Sequence, residues 1–226
     1  MAESGVTVHV SENPALAAAE RLVRLAGESG SFSVAVSGGS TPRALFTLLA
    51  GEFRSRMPWS RVAVFQVDER CVPPDNPLSN WKMLQETLLD IVPEIRAYRM
   101  EAERGVRGAE DYARVLREHI GGGNAIPVFD VVLLGMGADG HTASLFPGAD
   151  ALHEQAKAVV YTEPPNITPD RVTLTFPVIN AAKHKWFLAT GSDKAPAFQR
   201  AQRGEVPAGL VTGAEWFVDS AVVASK

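Results

Sequence analysis

Asp139, Gly140 and His141 put a carboxylate and an imidazole two residues apart in the stretch "VVLLGMGADGHTASLFPG", residues 131–148. An imidazole titrates at about pH 6.5 when unperturbed, so His141 could take and return a proton near neutrality, with Asp139 orienting the ring or raising its basicity. Spacing alone leaves a second reading open, in which Asp139 is a turn residue and His141 caps a short helix. The same stretch contains Gly135, Gly137 and Gly140, which spell G-x-G-x-x-G. Glu163 follows roughly where a ribose-binding acid belongs in a dinucleotide fingerprint, about 20 residues on. That fingerprint needs a full crossover helix, and Pro147-Gly148 interrupts the pattern within two turns. A carboxylate and an imidazole also stand where a pyrophosphate would need backbone N–H groups. The stretch therefore reads better as an active-site loop than as a dinucleotide site.

A second glycine turn, "VAVSGGSTPRAL", has a different chemistry. Ser37, Gly38, Gly39, Ser40 and Thr41 supply hydroxyls and close backbone approach, and Pro42 opens a helix with Thr41 as its expected N-cap. N–H groups at a helix N-terminus attract anions, so the turn suits a phosphate. No Gly-Lys-Ser/Thr follows, so a Walker-type triphosphate site is not indicated. The alternative is a plain capped turn. Arg171 and Lys194 each follow a turn beside a predicted strand and could complete an anion site if the fold carries them to Ser37–Thr41; singly, each reads more readily as a solvated surface cation. A third loop, "FQVDERCVPPDNPLSNWKM", places Asp68, Glu69 and Arg70 where a strand meets a Pro-rich turn. It reads either as a salt-bridged loop, with Asn80 an ordinary helix start, or as a carboxylate and a guanidinium facing the cleft of His141.

The elements that must position these loops alternate. Strand patterns occur at "VTVHV", "SFSVAVS", "RVAVFQVDE", "RAYRM", "VFDVVLLG", "AKAVVYTE", "RVTLTF", "KWFLATG" and, with a short tail, "AEWFVDSAVV". Helical patterns lie at "NPALAAAERLVRLAGES" (Asn13 as N-cap, Pro14 in the first turn), "TPRALFTLLAG", "SNWKMLQETLLDIV", "GAEDYARVLREHIGGG" and "SDKAPAFQRAQRG". This order predicts an α/β fold: one domain over 1–226, with a mostly parallel sheet and helices on both faces. Ligands in such sheets bind beyond the strands' carboxyl ends, where all three loops fall.

Composition is that of a globular chain: 46% apolar, 21% charged, net charge −4. With no long basic run, nucleic acid is not an expected partner. One cysteine, Cys71, leaves no intrachain disulfide and argues against a cysteine metal site. No apolar run approaches a membrane span, and the first residues show no secretory pattern, so membrane association is not expected and a cytoplasmic location is. His9, His119, His153 and His184 lack mutual ligand spacing and read as surface or packing residues; no metal and no cofactor is expected.

Taken together, "SGGSTP", "VDERCVPPDNPLSN", "LLGMGADGHTASLFPG" and "PDRVTLTFPVINAAKHKWFLATGSDKA" resemble the 6-phosphogluconolactonase family, in the family's order and over nearly the whole chain. The resemblance implies a modified Rossmann fold like that of glucosamine-6-phosphate deaminase. It also implies hydrolysis of 6-phospho-D-glucono-1,5-lactone in the oxidative pentose phosphate pathway; apart from the resemblance, a monomer or small homo-oligomer is expected. It makes His141 the base and Arg70 its partner, and it places Ser37–Thr41, Arg171 and Lys194 at the phosphate. Asp68 and Asn80 are then expected to bind substrate, Asp68 through sugar hydroxyls or Arg70. The deaminases of the same fold are the runner-up. Their pattern has Asp-Glu-Tyr in place of Asp68-Glu69-Arg70, and a glutamate where this chain has Phe146. That glutamate serves ring opening, which lactone hydrolysis does not need. A non-catalytic sugar phosphate sensor is the contrasting class; such sensors usually carry an added DNA-binding segment, for which the chain has no spare residues.

Overall fold

A computed structural model describes residues 7–121 and 126–224. Val6 and the glycines at 122 and 123, which belong to two of the expected elements, lie outside the described residues. Ten strands are described: β1 (Thr7–Val10), β2 (Phe32–Val36), β3 (Val62–Gln66), β4 (Asp68–Arg70), β5 (Arg96–Tyr98), β6 (Val131–Leu134), β7 (Val159–Thr162), β8 (Arg171–Leu174), β9 (His184–Ala189) and β10 (Glu215–Val218). The α-helices are α1 (Pro14–Glu28), α2 (Ser40–Ala50), α3 (Asn80–Leu84, extended by a π-turn over Gln85–Leu89), α4 (Val106–Ile120), α5 (Phe176–Ala181), α6 (Ala195–Gln202) and α7 (Ser220–Val223).

Seven strands form a parallel sheet in the order β1-β10-β9-β6-β2-β3-β5. Its side chains alternate between two cores. Val34, Val36, Leu133, Trp186 and Phe217 face the layer of α1 and α2. Ala35, Val132, Phe187 and Trp216 face the layer of α4 and α6. Strands covered on both faces must be apolar throughout, which is why β6 is buried at all four positions. Capping fixes where the first helix starts: the Asn13 side chain accepts from the Leu16 N–H, and Pro14 occupies the first turn as expected.

The stretch "RVAVFQVDE" is not one strand, as expected, but two. β3 ends at Gln66, and β4 leaves to join β8 and β7 in a separate antiparallel sheet. Val67 is the junction: its N–H donates to Val36 O at 2.9 Å in the parallel sheet, while its carbonyl accepts from Leu174 N at 2.8 Å in the other. Gln66 locks the bend by accepting from Met100 N and donating to Glu69. This departure turns Asp68 and Arg70 out of the sheet and over its end. The expected tail after β10 is the short helix α7, capped by Asp219.

From β2 the chain steps outward to β3 and β5, then returns to β6 beside β2 and steps the other way to β9 and β10. The order reverses between β2 and β6, and loops leaving two strands at such a point diverge and leave a crevice.

Candidate functional site

The two glycine turns leave neighbouring strands at this reversal, with Val36 paired to Leu133. The cleft between them has a volume of about 350 Å³, the size of a small-ligand site. Ser37–Thr41, Asp68, Arg70, Asn80, His141, Arg171 and Lys194 all line it. Of the expected site residues only Asp139 does not; its carboxylate stands on His141 Nδ1 instead, a place from which it can orient the ring but does not face the cleft.

The first turn differs in detail from expectation. α2 starts at Ser40 with Gly39 as N-cap, so Thr41 is not the cap and Pro42 is not the first helical residue. The reason is Gly39, whose φ of +115° is open to glycine and closes the turn two residues early. Thr41 Oγ1 instead lies 3.3 Å from Thr190 Oγ1. Gly38 is required by close approach: a Cβ there would fall 1.8 Å from Asn80 Oδ1. Ser37 Oγ is buried without a hydrogen-bond partner among the described residues, an unsatisfied group in a residue that lines the cleft.

The second turn folds on itself. Gly137 N–H donates to His141 O at 2.9 Å, Gly140 N–H to Gly137 O at 3.0 Å, and His141 N–H to Asp139 Oδ1 at 3.1 Å. These three N–H groups are spent inside the turn, so they serve neither a pyrophosphate nor an oxyanion. No helix follows at once; residues 142–145 make a single antiparallel bridge instead. Both the dinucleotide reading and the helix-cap reading of His141 therefore fall away.

The imidazole sits in a slot. Its Nδ1 is 2.6 Å from Asp139 Oδ1, the Phe146 ring stacks on it at 4.2 Å between centroids, and Gly137 lies so close that a Cβ there would be 2.2 Å from the ring. With Nδ1–H given to the carboxylate, Nε2 is the nitrogen left to act as base. Burial alone would raise the Asp139 carboxyl, but the hydrogen bonds and charge of His141 outweigh it and hold it below the ordinary range. Phe146, where the deaminase pattern has a glutamate, supplies an aromatic wall and no carboxylate.

β4 and β8 pair antiparallel so that Arg70 is directly opposite Arg171. Neither guanidinium has an ion-pair partner within 4.0 Å among the described residues. Arg171 is only 7% exposed, and burial first, then the charge of Arg70, lower its affinity for its proton. Two adjacent cations of this kind are stabilised by an incoming anion. Lys194 stands at the start of α6 and pairs with Asp193 at 3.1 Å. Asp68 is buried and accepts from Ser144 Oγ at 2.7 Å. Cys71 is half-buried, and burial followed by the charge of Asp170 pushes its thiol up to about 11, which leaves it inert near neutrality.

Sequence reasoning missed three contributors. Ser144 carries no motif. Gly137 counted only as part of a fingerprint, although its role is to make room for the ring. Glu69 was read as a possible salt-bridge partner, yet its carboxylate is buried among neutral donors. Its place between a strand end and a Ser-Asn helix start was the available signal.

A parallel sheet that reverses its strand order beneath an open, cation-lined cleft defines a doubly wound α/β protein with a candidate ligand site at the reversal. The chain belongs to the family described as glucosamine-6-phosphate isomerases/6-phosphogluconolactonase, whose model matches residues 8–218. A rice relative described as probable 6-phosphogluconolactonase 4, chloroplastic, is 39% identical over 194 residues, covering 81% of this chain. The chain spans 60% of that relative's length. The rat 6-phosphogluconolactonase is 39% identical over 214 residues, 87% of this chain and 81% of that protein. Among solved structures, the 6-phosphogluconolactonase of Leishmania guyanensis matches with a TM-score of 0.86 at 27% identity, over 98% of this chain and 100% of that one.

Proposed function

We propose that this chain hydrolyses 6-phospho-D-glucono-1,5-lactone to 6-phospho-D-gluconate, as a step of the oxidative pentose phosphate pathway. The observation that carries the reading is the shared cleft: an anion-binding turn and a His141–Asp139 dyad open into one space at the β2/β6 reversal. The named relatives agree with it.

In the proposed mechanism the phosphate docks at Ser37–Thr41. Ser37 Oγ gains its missing partner, and Arg171 and Lys194 add charge-assisted hydrogen bonds. Holding the far end of the substrate brings the lactone carbonyl over His141. Nε2 takes a proton from water as the water oxygen bonds to C1. The carbonyl electrons move onto oxygen, and Arg70 balances that charge. The C1–ring oxygen bond then breaks, and the ring oxygen takes the proton from Nε2. One water is consumed, and the new carboxyl group ionises in solution. A positioned base contributes about 10²–10⁴-fold and one oxyanion donor about 10²–10³-fold. These suffice for an ester as activated as a lactone. Asp68 and Asn80 contact the sugar in this scheme.

The test is a coupled assay in which the lactone is generated enzymatically and its loss followed with and without the protein. Loss at the spontaneous rate would remove the proposal, and ammonia released from glucosamine 6-phosphate would establish a deaminase instead. Among the described residues no helix is long and apolar enough to cross a membrane. A cytoplasmic location, a single domain over 1–226 and a monomer or small homo-oligomer belong to the proposal. Cell fractionation, limited proteolysis and sedimentation test them.

A further inference from the structure

Glu69 is 2% exposed and has no cation within ion-pair distance among the described residues. Its two oxygens accept five hydrogen bonds. Oε1 receives Arg70 N at 2.7 Å and Asn80 N at 2.8 Å; Oε2 receives Gln66 Nε2 at 2.9 Å, Ser79 Oγ at 3.0 Å and Trp81 N at 2.7 Å. An ionised carboxylate is an acceptor-only group with about four lone-pair sites, so this donor set saturates it. The donors come from the end of β3, from β4 and from the first turn of α3. One side chain thus ties the strand that departs from the parallel sheet to the helix that carries Asn80.

Asn80 is the outlet of this clamp. Its Nδ2 donates to Asp68 O at 2.9 Å, and its Oδ1 fills the space above Gly38 in the anion-binding turn. Arg70 shares the clamp only through its backbone N–H; its guanidinium has further anchors in Leu78 O at 2.6 Å and in the pairing of β4 with β8. A shift of Glu69 should therefore disturb the phosphate end of the cleft more than the end where the carbonyl reacts.

We propose that Glu69 is a positioning residue that sets Asn80 against the Ser37–Thr41 turn and thereby fixes the phosphate subsite, an assignment that rests on the lactonase reading of the cleft. Glu69→Gln keeps the shape but aims an amide N–H₂ at groups that are themselves donors. The expected result is a folded protein whose KM for the lactone rises by about tenfold, with kcat within about threefold of wild type. Asn80→Ala should raise KM by a similar factor. The double variant should be no worse than the poorer single one, because both changes act through one contact. A purely structural Glu69 would lower thermal stability without splitting KM from kcat. It would also multiply with Asn80→Ala instead of saturating. Unchanged KM in folded Glu69→Gln, or independent effects in the double variant, would overturn the assignment. Should Glu69→Gln fail to fold, Glu69→Asp decides instead, because it keeps the charge and draws the carboxylate back by one methylene: KM raised with kcat nearly kept supports the clamp, and unchanged KM overturns it. Wild-type turnover separates the two levels, since an inactive wild type removes the lactonase reading, whereas an active one with an indifferent Glu69 removes only the clamp.

Discussion

The turn after β2 and the turn after β6 are neighbours, both glycine-rich, and chemically unlike. The first runs straight into α2, so its hydroxyls and N–H groups stand at the positive end of an eleven-residue helix, a place suited to an anion. The second runs into no helix. Freed from that constraint, it curls back, satisfies its own N–H groups and presents ionisable side chains. Glycine serves the first through the positive φ of Gly39 and the contact of Gly38 with Asn80, and the second by leaving room for a ring over Gly137. Under the proposed function, the element that follows a strand-end turn thus separates a binding turn from a reacting one. Changes in the first turn should then move KM and changes in the second kcat.

The largest expected effect is that of His141→Ala. Loss of the base should lower kcat by about 10²–10⁴-fold while 6-phosphogluconate still binds, as calorimetry can check. Lost binding with retained turnover would erase the contrast between the turns. Next comes Gly137→Ala. Its Cβ would fall 2.2 Å from the His141 ring, so the ring must move, and a misplacement near 1 Å costs about 10²-fold. Steady-state kinetics should show that loss in kcat, with KM little changed. Gly38→Ala is the matched change in the other turn. Its Cβ would strike Asn80 Oδ1 at 1.8 Å, and KM should rise by about tenfold with kcat nearly kept. Ser37→Ala removes one hydroxyl from the proposed anion site and should raise KM by up to about tenfold, with no loss of thermal stability, because that hydroxyl has no partner among the described residues to lose.

The smallest effect concerns acid stability. The folded Asp139 carboxyl lies below its ordinary value of 3.8, so the ionised group favours the folded state. That contribution is complete above the ordinary value and disappears as pH falls through the folded one. Melting temperatures of wild type and Asp139→Asn should therefore differ most above pH 3.8 and converge below it. Convergence on raising the pH would contradict the direction of the shift.

Much of this could be read before any coordinates. Alternation of apolar runs with helical periods was enough for a parallel α/β sheet, because a strand covered on both faces must be apolar throughout. Ser37–Thr41, Arg70, His141, Arg171 and Lys194 were named from their places at strand ends, and they line one cleft. The break at Val67 was not legible, since "RVAVFQVDE" has the composition of one strand and the division depends on partners at Val36 and Leu174, far away in sequence. The N-cap of α2 was misplaced by two residues, because Thr41 suits that position by type while the φ of Gly39 decides it by geometry.

Residue types and their order determined which strands and helices form, and which side chains can bind an anion or move a proton. Those are local properties of the chain. Tertiary structure alone decided that β6 returns to lie beside β2, that Arg70 faces Arg171, and that Glu69 spends its charge on five neutral donors. Each of these depends on segments distant in sequence meeting in space, and pairing of that kind is set by the packing of the whole sheet rather than by any short stretch.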